Sequence, residues 1–347
     1  MDLLRKVINE WLKGLDRAGV SEAEQKARLS AIPDRLDEQL RTLPEQVLAA
    51  IRDESHDVLE DRRIAHEKFV ERNTLRWQKG FENLDLLIGL STESGASFNR
   101  EFRPQAIDKN DVVFDVLIRL HAKGCLISRE IVTLLKNGFA DGAIARWRAL
   151  HEVSVTAMFI EKHGAKAATS YTDFECIERN KVAVDVNRYK SRINAMCFTE
   201  EEIRELELRR QSAISKHGKL LNDQYGWARE FLPDKRATFA AIEMNVRLDH
   251  WRPYYKLASQ NTHANITSTR NPLGLSEAKD NFLLVGPSNS GMTLPAHSTA
   301  ISLAQLTCLM LSISPNIERV IVAHILLRLS EDVGTSFLES DMSKVVE

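Results

Sequence analysis

Residues 141–164 read DGAIARWRALHEVSVTAMFIEKHG, and this segment constrains the fold more than any other. At 100° per residue, Ala143, Leu150, Val153, Ala157 and Ile160 fall on one apolar stripe. Ile144, Trp147 and Met158 widen it, and Val155 and Phe159 lie towards the far side. A helix apolar on nearly all sides belongs at the centre of a bundle. Yet this one also carries Arg146, Arg148, His151 and Glu152. The fold must surround the helix and find partners for those groups, because an unpaired buried charge costs about 3–5 kcal/mol.

The rest of the chain supplies helices to surround it. With 15 Gly and 9 Pro in 347 residues, breakers are scarce, and no βαβ alternation or Gly-rich phosphate loop appears. The fold class expected is all-α: a multi-helix bundle with a helical N-terminal extension. Val113, Val116, Leu117, Leu120, Ile127, Ile131 and Leu134 recur at i, i+3, i+4, i+7, and Asn137-Gly138 closes that helix. The central helix ends at Gly164. Further helices are expected over 171–192, 200–222, 237–266 with a break near Pro253, 296–314 and 318–337. Pro33 and Pro44 read as helix starts or breaks, and Gly95, Asn99 and Pro104 mark a looser stretch over 91–110. The organisation read from this is an N-terminal extension over 1–95, a main bundle over 96–337 and a frayed tail over 338–347. Residues 265–295 form a long, turn-rich connection, and connections of that length are often functional.

The 47 Lys+Arg nearly cancel the 49 Asp+Glu, so the charge gives no global drive towards nucleic acid or an anionic membrane. Cys125, Cys176, Cys197 and Cys308 lack metal-like spacing, which fits thiols in a reducing cytoplasm and leaves no metal or cofactor expected. The N-terminus lacks the features of a signal peptide. Residues 296–314 carry no formal charge, but His297, Ser298, Thr299, Ser302, Gln305, Thr307, Ser312 and Ser314 suit a buried core helix better than a bilayer. The expectation is a cytoplasmic chain with no membrane partner.

Two polar faces carry the candidate chemistry. On the central helix, Arg148 and Glu152 are four apart and can pair, and His151 adjoins them. Further on, Tyr255, Ser259 and His263 are spaced i, i+4, i+8 and share a face if the helix runs that far. The candidate catalytic groups are therefore Arg146, Arg148, His151, Glu152 and His263, with Tyr255 and Ser259 binding substrate. The bland alternative for each face is a hydrogen-bonded, structural one.

The run ARWRALHE at 145–152, Tyr171, YGWA at 225–228, YYKLASQNTHA at 254–264 and VGPSNSG at 285–291 together resemble a bacterial helical family of unknown function, number 5677. That resemblance implies an all-helical, cytoplasmic protein and supplies no reaction. More distantly, Arg146 and His151 enclose four residues, which resembles the Arg-x4-6-His motif of the HEPN group of helical ribonucleases and toxins. The second resemblance implies metal-independent RNA cleavage in phage defence or a toxin–antitoxin pair, with His moving protons and Arg stabilising phosphate charge. Residues five apart on a regular helix diverge by about 140°, which works against that pair. The alternative is a non-catalytic module binding a ligand, a second copy or another protein, with the N-terminal helices as its surface. A hydrolase built on Ser259 and His263 ranks last, because no nucleophile elbow accompanies them. A nuclease should gather His151, an Arg and His263 in an open, positive-rimmed cleft, with Arg204, Arg209, Arg210, Lys216 and Lys219 available for the rim. A binding module should bury these groups and expose an apolar patch elsewhere.

Overall fold

Helix follows helix wherever a computed structural model describes the chain, which is over residues 32–193, 197–233, 237–280 and 282–343. No strand occurs among the described residues, so the all-α expectation holds. The long helices are α1 (Ile32–Arg76), α2 (Gln78–Asp108), α3 (Val112–Lys136), α4 (Ala140–Arg188), α5 (Glu200–His217), α6 (Phe239–Asn245), α7 (Arg252–Thr262), α8 (Thr293–Ser312) and α9 (Ile317–Met342). Expectations about residues 1–31 and 344–347 lie outside the described residues.

Contacts divide the chain into a unit ending at Arg72 and a larger one from Asn73 onward. In the first, α1 is a charged helix on which Arg63 pairs with Glu60 and Glu67 one turn to either side. Pro44 sits inside this helix rather than breaking it.

In the larger unit α4 is central, packed on α3, α5, α7 and α8. Ala143, Ile144, Trp147, Leu150, Val155, Ala157, Phe159 and Ile160 are all fully buried, as the all-round apolar pattern requires. Gly164 takes φ 68° and ψ −153° and kinks α4, so the helix expected to stop there does stop, and a new one starts at once. One core cluster lies among α2, α3, α8, α9 and the first turns of α4. It includes Trp77 and Phe81 packed on Phe337 with ring centroids 5.5 and 5.3 Å apart. The second gathers Val155, Phe159 and Ile160 with Trp227, Phe239, Ile242 and Tyr255.

Four expectations need correction. Residues 91–108 are not loose but helical, within α2. Gly95 is a contact point there, since a Cβ on it would stand 2.4 Å from the His121 ring. The expected boundary at 95 thus falls inside a helix. The break in 237–266 comes earlier than Pro253, at Val246–Leu248, where Arg247 adopts φ 61°; Pro253 instead helps start α7. Residues 338–342 continue α9 rather than fraying.

Helix α8 is long and apolar enough to cross a membrane, with a mean hydropathy of 1.2, yet 67% of that window is buried inside the fold. Its hydroxyls are satisfied locally: Thr299 and Thr307 donate to the carbonyls of Pro295 and Leu303 at 2.7 and 2.9 Å. Trp147 Nε1 donates to Ser298 O and Ser302 Oγ at 2.9 and 3.0 Å, tying α8 to the central helix.

Candidate functional site

Three short-range rules place the polar groups. Helix α4 sets Arg148 and Glu152 one turn apart, and Arg148 Nη2 lies 3.1 Å from Glu152 Oε1. Helix α7 opens with Arg252 and carries Tyr255 three residues on, so both share one face of the helix, Tyr255 reaching Glu152 on α4 and Arg252 pairing with Glu243 on α6. Helix α6 is started by Thr238, whose hydroxyl accepts from Ala241 N, and it buries Phe239, Ile242 and Glu243.

The three helices meet in one polar group, linked by two hydrogen bonds, ion pairs and ring contacts. The Tyr255 hydroxyl donates to Glu152 Oε1 at 2.5 Å. The guanidinium carbons of Arg148 and Arg252 both lie over the Tyr255 ring, at 4.9 and 5.0 Å from its centroid. His151 Nε2 lies 2.9 Å from Glu243 Oε1, so a carboxylate acceptor there calls for the proton on Nε2. The second Glu243 oxygen forms an ion pair with Arg252 Nη2 that lacks hydrogen-bond geometry. Trp147, Phe239 and Tyr255 surround the His151 ring, with centroids at 5.3, 6.0 and 6.0 Å. His151 is 1% exposed and Glu243 is fully buried.

Burial and neighbouring charge pull these groups in predictable directions. Burial, then the Glu152 carboxylate, raises the pKa of Tyr255. Tyr225 is raised by the same two causes in the same order. For Arg148 burial disfavours the charge, but Tyr255 and Glu152 outweigh it and the pKa is raised. The outer edge of the group stays half wet, with Arg148, Glu152 and Arg252 side chains 27%, 35% and 24% exposed. Two donors of the group, Arg148 Nε and Arg252 Nη2, are buried without a hydrogen-bond partner.

Of the sequence-derived candidates, Arg148, His151, Glu152 and Tyr255 come together. The others do not. Arg146 is half-exposed and pairs with Glu130 on α3, away from His151, as the angular argument required. Ser259 turns back on its own helix and donates to Tyr255 O at 2.8 Å. Helix α7 ends at Thr262 and His263 is extended and exposed, so the i, i+4, i+8 face is broken before its last member. Of the five basic residues proposed as a rim, three are paired locally: Arg209 with Glu205, Arg210 with Glu207 and Lys216 with Asp173. Among the described residues no group of three or more His, Cys, Asp or Glu is placed to hold a metal ion.

Glu243, Arg252 and Tyr225 complete the group and were not singled out from the sequence. Glu243 had a usable signal, an isolated carboxylate in the apolar run FAAIEMN. Arg252 and Tyr225 stand within or beside the runs that carry the family resemblance, but nothing in their spacing links them to residue 151.

Comparison with known proteins covers the same region. Residues 114–281 match a family of unknown function, DUF5677, and every member of the polar group lies inside that span. No curated protein and no solved structure matches the chain.

Proposed function

We propose that this chain acts by binding another protein rather than by catalysis, as a helical interaction module of the bacterial cytoplasm. The observation that carries the reading is the state of His151. It is sealed by three aromatic rings and held by a fully buried carboxylate. A general acid–base must reach the proton it moves, within about 3.2 Å or through one water. A histidine closed off on every side does not meet that condition, and Arg146 faces another helix.

Two surface features support the interaction role. Phe282, Leu283, Leu284 and Val285 form an exposed apolar run in the long connection, where Leu283 and Val285 are 91% and 97% exposed. On α1, Leu48, Val58, Leu59 and Ile64 are exposed, which supports the N-terminal helices as a partner-binding surface. Cys125, Cys176 and Cys308 are thiols, which suits a reducing compartment.

The competing reading is a metal-independent, HEPN-like ribonuclease or toxin. The test is incubation of the full chain with labelled single-stranded and structured RNA, with and without EDTA. The expected result is no cleavage in either condition. Cleavage that survives EDTA and disappears in a folded His151→Ala variant would overturn the binding reading in favour of the nuclease.

A further inference from the structure

Helix α9 is apolar on two faces. Leu326, Leu329, Val333 and Phe337 are buried against the rest of the bundle. On the other side Ile317, Val320, Ile321, Ile325 and Leu327 are all exposed, Ile317 at 81% and Ile321 at 53%. A helix with apolar residues all round is the pattern of one that is covered all round. β-branched side chains add to the point, since exposed helix positions gain nothing from them in propensity. Among the described residues nothing covers this outer face.

We propose that a second copy of the same chain covers it, through antiparallel pairing of the two α9 helices about a twofold axis. A twofold interface must be self-complementary, because where residue i of one copy meets residue j of the other, j of the first also meets i of the second. The outer face of α9 satisfies that when the axis passes between Ile321 and His324. Ile321 of one copy then faces His324 of the other, and Val320 on one flank lies beside Leu327 of the other. Ile317 lies along the aliphatic stem of Arg328, and Glu318 reaches the same guanidinium. The charges therefore match at both ends of the pairing, with the two Ile321–His324 contacts between them. Arg328 is available for the exchange. Its own contacts, 3.9 Å to Glu331 and 3.5 Å to Asp332, are long, and its side chain is 75% exposed. A groove of about 640 Å³, partly walled by Leu327, Leu309 and Met158, runs beside the ridge and gives the partner's side chains depth to enter. The inference does not depend on whether the chain cleaves RNA.

Sedimentation equilibrium of the full chain over about a hundredfold range of concentration tests it. The wild type is expected to approach twice the monomer mass. Ile321→Asp should give a monomer with an unchanged far-UV CD spectrum, because the position is exposed in the single copy. Glu318→Arg should weaken association by at least about tenfold, and adding Arg328→Glu should restore it. A wild type that stays monomeric throughout overturns the proposal. So does a dimer that Ile321→Asp leaves intact, which would place the interface elsewhere. Failure of the double charge reversal to restore association rejects the antiparallel pairing.

Discussion

Arg146 and Arg148 are two residues apart and answer to different surroundings. Arg146 lies at the edge of the bundle, paired with Glu130, both side chains about a third exposed. Such a pair contributes about 0–1 kcal/mol. Glu243 instead holds His151 and Arg252 from a fully buried position, and removing one partner of such a group costs about 3–5 kcal/mol. Urea unfolding of Arg146→Ala and Glu243→Ala should reproduce that contrast; equal losses would mean that the buried group is not the stronger one. His121 makes a separate prediction. It is buried, 3.1 Å from Thr307 Oγ1, and burial holds its pKa down to about 4 from 6.5. The unfolded chain thus binds a proton that the fold refuses between those two values. This contribution is favourable above about pH 6.5 and is lost as pH falls towards 4, by roughly 3 kcal/mol in all. His121→Asn should flatten the slope of unfolding free energy against pH over that window, and an unchanged slope would remove His121 as its source.

At the scale of elements, glycines separate what the sequence could show from what it could not. Gly164 marks the end of the first part of α4 because its conformation, φ 68° and ψ −153°, is essentially closed to other residues. The signal is local, so it was legible. Gly164→Ala should lose about 1–3 kcal/mol, read as a lower thermal midpoint, while a neutral change would show that the kink relaxes freely. Gly95 looks the same in sequence and serves another purpose. It lies in mid-helix so that the His121 ring can approach the α2 backbone, a tertiary reason that no local pattern reveals. Gly95→Ala should therefore destabilise by about 1–3 kcal/mol through overpacking, although alanine favours helix. A midpoint at or above wild type would contradict this. The break before α7 was misplaced for a related reason. Proline was read as the stop, whereas Arg247 in the left-handed region ends one segment and Pro253 begins the next.

For the molecule as a whole, helical periodicity and the scarcity of Gly and Pro were enough to read the class of fold, since both are summed over many residues. Part of the polar group was legible too: Arg148, His151 and Glu152 belong to one helix and share a repeat, and Tyr255 stood out on its own polar helix face. The rest was not. Glu243 reaches His151, and Arg252 reaches Glu243, from helices about 90–100 residues further along, and only tertiary packing decides that they, rather than Ser259 and His263, arrive there. The architecture closes the central histidine in instead of offering it to a visitor, which supports the proposed binding role over acid–base chemistry at this residue. A double-mutant cycle on His151→Ala and Glu243→Ala, followed by urea unfolding, measures that most directly. The account predicts a coupling of at least about 1 kcal/mol between the two residues, with each single variant clearly less stable than wild type. Additive, near-neutral effects would contradict it, because a histidine that the fold does not need is one held for some other purpose.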